Sequence, residues 1–126
     1  MELSKMHHIG IVVSSYARAK DFYMTKLGFQ LVSEYDRPVK HDTVMMLCSG
    51  TVQLELFIRP NSPERLTYPE ALGLRHVAFA VDDVAQTVIE LAELGVKAEP
   101  IRNDEFTGKA MTFIHDPDGL PIELHE

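Results

Sequence analysis

Short runs of alternating apolar and polar residues recur along the chain in two matching series. His8-Ile-Gly-Ile-Val-Val13 opens the first series and Val52-Gln-Leu-Glu-Leu-Phe57 closes it. His76-Val-Ala-Phe-Ala-Val81 and Leu120-Pro-Ile-Glu-Leu124 do the same for the second. A period of two predicts strands with one apolar face. Between them the period lengthens. Ala19, Phe22, Tyr23 and Leu27 make one helical stripe, and Val84, Val88, Leu91 and Ala92 make another, which predicts helices over 14–29 and 82–96. Ser14 or Ser15, and Asp82 or Asp83, are placed to cap the helix starts, while Gly28 and Gly95 supply the left-handed residue at the ends. Three further strand-like runs follow each helix. The expected fold is therefore α+β, a βαβββ module present twice.

Polar, proline-containing stretches divide these elements. Arg59 to Pro69 breaks periodicity between the halves, giving module 1 over about 4–60, a linker over about 60–73 and module 2 over about 74–126. A chain of 126 residues is one domain's worth, so the two modules are expected to share a single domain, 1–126. Asp116-Pro-Asp-Gly119 is a turn before the last strand, as Cys48-Ser-Gly50 is before the strand of Glu55.

Alternation also assigns faces. His8, Gly10 and Val12 share one face of their strand, and His76, Ala78 and Ala80 share one face of theirs. His7 falls opposite His8 by the same rule. Gln53, Glu55 and Phe57 lie opposite Leu54, Leu56 and Ile58, and Glu123 and His125 lie opposite Ile122 and Leu124. The bulky apolar faces are expected to meet the helices. The other faces, lined by small residues beside the histidines, leave room for a cavity.

Within this pattern His8 and Glu55 stand 47 residues apart, as do His76 and Glu123, and the second pair is the first displaced by 68 residues. Two imidazoles and two carboxylates from equivalent places are a plausible donor set for a divalent metal ion, and their charges match it. Each residue alone has a plainer explanation, because Gln-Leu-Glu-Leu is also how an antiparallel sheet with one solvated face reads. The repeated spacing and facing is what favours the metal.

A net charge of −7 argues against nucleic acid or an anionic membrane as the main partner. The single cysteine, Cys48, excludes an internal disulfide, and its apolar run reads as a buried structural thiol. No signal peptide or bilayer-spanning run is evident, so a cytoplasmic location is expected.

The runs His8-Ile-Gly-Ile-Val-Val, Leu54-Glu-Leu-Phe57, Leu74-Arg-His-Val-Ala-Phe-Ala-Val-Asp-Asp83 and Asp116-Pro-Asp-Gly-Leu-Pro-Ile-Glu-Leu124 resemble the vicinal-oxygen-chelate superfamily across the whole chain. Within it the chain is most similar to short bacterial glyoxalase I-like (lactoylglutathione lyase-like) proteins. The resemblance implies paired βαβββ modules whose mixed sheets curl into a cup around a metal, the glyoxalase/bleomycin-resistance/dioxygenase fold, usually in a homodimer. By position it implies His8, Glu55, His76 and Glu123 as ligands, with Glu123 as catalytic base and Glu55 its partner. The implied activity is that of a metal-dependent lyase or isomerase acting on the hemithioacetal of an α-oxoaldehyde and a thiol. Nickel or cobalt is the expected ion, while the ligand types also admit zinc, manganese or iron.

The chain departs from glutathione-using relatives at two places. They carry arginine four positions after the first histidine ligand and asparagine four positions after the first glutamate ligand. Val12 and Arg59 stand there instead. That points to a different thiol, or to an unrelated small acid. Candidate substrate contacts are Arg37, Phe57, Arg102, Lys109 and His125, with Lys40 and His41 as further cations, each of which also reads as ordinary surface or packing. Alternative activities on this scaffold are an acyl-coenzyme A epimerase, a thiol transferase, a dioxygenase or a non-catalytic binding and resistance protein. Relatives of the first kind usually have glutamine where Glu55 stands, and the next two kinds use two histidines and one glutamate. The fourth ligand thus favours the glyoxalase type.

Overall fold

In the computed structural model, which describes residues 1–126, the chain divides into two compact units, Met1–Pro63 and Glu64–Glu126. The first runs β1 (Ile9–Val13), α1 (Tyr16–Lys20), a π-helical continuation of α1 (Asp21–Lys26), β2 (Gln30–Arg37), β3 (Asp42–Ser49) and β4 (Val52–Ile58). Its sheet has the order β1-β4-β3-β2, with β1 parallel to β4 and the other pairs antiparallel. The second unit runs β5 (Val77–Ala80), α2 (Val84–Glu93), β6 (Arg102–Asn103), β7 (Ala110–His115) and β8 (Pro121–His125), ordered β5-β8-β7-β6 with β5 parallel to β8. Both units are βαβββ modules, as the periodicity implies.

Burial follows the alternation. Ile11 and Val13 of β1, Met45 and Leu47 of β3, and Leu54, Leu56 and Ile58 of β4 are buried, as are Ala19, Phe22 and Tyr23 of the helix. In the second unit Val77, Ile114, Ile122 and Leu124 are buried together with Val84 and Leu91, and α2 packs against β7. Burial of this kind stabilises by roughly 25 cal/mol per Å² of apolar surface, which sets the facing of β1, β4 and β8. Glu55 and Glu123 are left on the opposite faces, half-buried.

The helix caps are Ser15 and Asp83, which accept from Arg18 N and Gln86 N. They are 68 residues apart, but the left-handed glycines that end the helices, Gly28 and Gly95, are 67 apart. The first helix therefore holds one residue more. The π-helical turn takes it up, with Leu27 N donating to Phe22 O five residues back at 2.9 Å. Propensity does not distinguish this from one continuous α-helix.

Three other expectations need correction. His7 does not point away from His8: their Nδ1 atoms are 2.8 Å apart, because His7 lies two residues before the first residue of β1, where strand alternation no longer holds. Cys48 is half-buried, paired with Gln53 on the face of Glu55 and not in the core. β6 is only two residues long. Pro100 has no N–H for the ladder, and the segment before it is held instead by Glu99 N on Phe113 O and by Thr112 Oγ1 on Glu99 O. No helix is long and apolar enough to cross a membrane.

The turn that delivers β8 is fixed by one buried side chain. Asp116, 4% exposed, accepts from the backbone N–H groups of Asp118 (2.9 Å) and Leu120 (2.8 Å), while Gly119 adopts φ 87°. Removing that acceptor strands buried donors. Asp116→Ala is expected to lower unfolding stability by about 1–3 kcal/mol. Asp116→Asn, which keeps one accepting oxygen, should recover most of it, as read from urea denaturation midpoints.

Candidate metal centre

Each unit brings one histidine onto one glutamate. In the first, His8 Nε2 lies 3.1 Å from Glu55 Oε2; in the second, His76 Nε2 lies 3.0 Å from Glu123 Oε2. The parallel registers explain the match. Gly10 is opposite Glu55 and Ala78 is opposite Glu123, so each histidine, two residues earlier on the same face, reaches its carboxylate diagonally. A small residue opposite the carboxylate keeps that path open. Neither unit gathers a third histidine, cysteine, aspartate or glutamate into its pair.

The surroundings define the proton on His76. Arg75 Nη1 lies 3.1 Å from His76 Nδ1, and a guanidinium only donates, so in this contact Nδ1 accepts. The Phe113 ring meets the imidazole edge-on at 5.3 Å, holding its plane. His8 rests instead against His7, with ring centroids 5.1 Å apart.

The pairs fit a cation. Ligands bonded at about 2.1 Å and at right angles lie about 3.0 Å apart, so each Nε2–Oε2 pair has the span of one octahedral edge. A neutral imidazole that binds a cation through Nε2 carries its proton on Nδ1, so Arg75 would turn away from His76 Nδ1 when a cation is bound.

The remaining candidates are placed as follows. Arg37 is bound: its Nε and Nη2 donate to Asp42 Oδ1 and Oδ2 at 2.7 and 2.6 Å, and Arg59 Nε adds a third bond to Oδ2 at 2.8 Å. The Arg37 hydrogen bonds, with those of Arg59 behind them, outweigh burial and hold the Asp42 carboxyl down to about 2; the same bond raises Arg37. Phe57 lies on the face of Glu55 beneath both guanidinium groups, at 5.1 and 5.3 Å. Lys40 and His41 sit in the exposed turn between β2 and β3, where His41 takes φ 54°.

In the second unit Arg102 lies 3.6 Å from Glu99 and 5.5 Å from the Phe113 ring. Lys109 is exposed, its carbonyl closing the turn from Asp104. His125 is on the face of Glu123, its Nδ1 2.7 Å from Glu126 O and its Nε2 3.9 Å from Asp104. Backbone N–H groups of Thr107 and Phe106 hold the Asp104 carboxyl below its ordinary range.

Sequence reasoning missed Asp42, Phe113 and Arg75. Phe113 is opposite Glu123 in the β7–β8 ladder, but the run Ala110 to Ile114 is apolar on both faces and hides it. Asp42 looked like one more polar residue after a basic turn.

Residues 5–124 match the Glyoxalase/Bleomycin resistance protein/Dioxygenase superfamily. The chain belongs to this superfamily. Among superfamily structures, that of a glyoxalase family protein from Enterococcus faecalis is 49% identical, with a TM-score of 0.98 and all of both chains covered. The protein YwkD of Bacillus subtilis (strain 168) is 48% identical over 127 residues, covering 100% of this chain and 99% of its own. The trypanothione-dependent glyoxalase I of Leishmania major is 30% identical, with a TM-score of 0.71 over 97% of this chain and 86% of that one.

The Asp42 carboxyl, held down from 3.8 to about 2, makes a test of the first superfamily module. A lowered folded-state pKa gives stability that is present above the unfolded value and lost as pH falls through the folded one. Asp42→Asn is therefore expected to unfold at lower urea than the parent at pH 7. That gap should narrow as pH is taken from about 4 to about 2.

Proposed function

We propose that this protein is a metal-dependent isomerase of the glyoxalase I type, with His8, Glu55, His76 and Glu123 as the four protein ligands of one divalent ion. The observation that carries the reading is the doubled pair, the same two residue types at equivalent strand positions with Nε2–Oε2 spans of 3.1 and 3.0 Å. Similarity to the Leishmania major glyoxalase I supports it. A divalent ion held by those four side chains would supply Lewis-acid polarisation of neighbouring substrate oxygens, which would acidify the C–H of a carbon bearing one of them.

The chain's own residues then move that proton. Glu123 takes it from the carbon bearing sulfur in a hemithioacetal and returns it to the adjacent carbon, leaving a thioester and a new hydroxyl-bearing carbon. Phe113, edge-on to the imidazole, holds His76, and with it the orientation of the Glu123 carboxylate. Glu55 is the matching group on the other module. Nickel or cobalt is the expected ion, and the thiol is one other than glutathione, given Val12 and Arg59. The reading includes a homodimer, supported by Leu66, Tyr68 and Leu72, whose side chains are exposed between the modules' strands.

Turnover of methylglyoxal with a panel of small thiols by nickel-, cobalt-, zinc- and manganese-loaded protein tests the proposal, followed by thioester absorbance. Metal-dependent thioester formation is expected, and Glu123→Gln should reduce kcat about 100-fold to 10,000-fold while metal content changes far less. Calorimetry that detects no binding of any of these ions would remove the reading altogether.

A further inference from the structure

Asp42 is the one buried charged side chain of the first unit, its carboxylate fully covered, and it is met by two arginines where one would neutralise it. Arg37 and Arg59 remain 23% and 44% exposed. Their bonds to Asp42 use Nε and Nη2 of Arg37 and Nε of Arg59. Nη1 of Arg37 and both terminal nitrogens of Arg59 carry N–H groups that those bonds leave over, and the cluster keeps one positive charge in excess.

The position of this cluster gives the excess a use. Phe57, under both guanidinium groups, lies two residues from Glu55 on the same strand face, and Val12 is opposite Phe57. Gly10 adds to the fit, since a Cβ there would lie 3.4 Å from the Phe57 ring. The Phe57 ring and Asp42 together fix the two cations: one supports their planes and the other their forks. An anionic group arriving beside Glu55 would find donors already oriented, with little side-chain freedom left to lose.

We propose that Arg37 and Arg59 form a carboxylate-binding subsite for the substrate, with Asp42 and Phe57 as positioning residues. This deepens the isomerase reading and rests on it: the substrate carries a carboxylate away from its reacting carbons. One excess positive charge matches a monoanion, and nearby Glu55 disfavours a more highly charged phosphate group.

The test uses the metal-free protein and glutarate as probe, following the arginine Nε–H signals by NMR. The signals of Arg37 and Arg59 are assigned from Arg37→Gln and Arg59→Gln spectra. Glutarate should shift both saturably, with a dissociation constant of about 1–10 mM that weakens about tenfold or more in Arg59→Gln. Arg59→Lys, which keeps the charge without the fork, should recover only part of the affinity. The signal of Arg18, on α1, should not respond. A drift of Arg37 and Arg59 no larger than that of Arg18, or glutarate affinity unchanged in folded Arg59→Gln, overturns the subsite and leaves a structural clasp. Nickel calorimetry on the same samples separates the two readings. Nickel binding without a glutarate response sinks the subsite alone, and a glutarate response without nickel binding sinks the metal centre alone.

Discussion

Slipping β4 by one residue against β1 would turn Glu55 into the apolar core and push Leu54 and Leu56 out of it. The same slip of β8 against β5 would do this to Glu123 and its neighbours Ile122 and Leu124. The side-chain period of a strand is two, so register and facing are a single choice. Both units make it alike: Ile9 is opposite Leu54 and Val77 opposite Ile122, an offset of 45 residues each time. Apolar burial on one face enforces that offset, and the histidine–glutamate contact on the other face is its consequence. The candidate centre is therefore held by hydrophobic packing more than by its own polar contacts.

That constraint explains which parts were legible in the sequence. His8, Glu55, His76 and Glu123 could be placed on their faces because β1, β4, β5 and β8 alternate cleanly. Where alternation fails, so does the reading. β7 is apolar on both sides, so Phe113 gave no sign that it lies against His76. His7 precedes the strand and was assigned a direction only a strand would impose. The π-helical turn was invisible because it reflects one residue too many between a fixed cap and a fixed glycine, not a difference in composition. Arg37 was read as a free cation because its partner, Asp42, is brought to it by a turn whose geometry depends on His41 in the left-handed region.

The two units repeat the histidine–glutamate pair and differ in the residues around it. Displaced by 68 residues, Phe57 corresponds to His125; in the second unit the ring beneath two guanidinium groups, those of Arg75 and Arg102, is Phe113, with no buried aspartate joining them. There, Asp104 near His125 leaves an acidic group where the first unit leaves a basic one. The repeated pairs and the differing residues around them are a division between what the strand register fixes and what it leaves open.

The division also bears on how such a chain can change. The paired histidines and glutamates sit where register holds them, and altering one leaves a carboxylate or imidazole without its partner on a half-buried face. Arg59 lies one residue beyond the end of β4, its N–H still bonded to Val13 O and its side chain on Asp42. Val12 and Arg59 stand where glutathione-using relatives carry arginine and asparagine, so one positive charge has shifted from a strand interior to a strand end. At position 12 a cation would stand in the ladder directly opposite Phe57. At position 59 it reaches over the face of that ring and shares Asp42 with Arg37. Relocation of this kind changes what the face can recognise without disturbing the register that brings histidine and glutamate together.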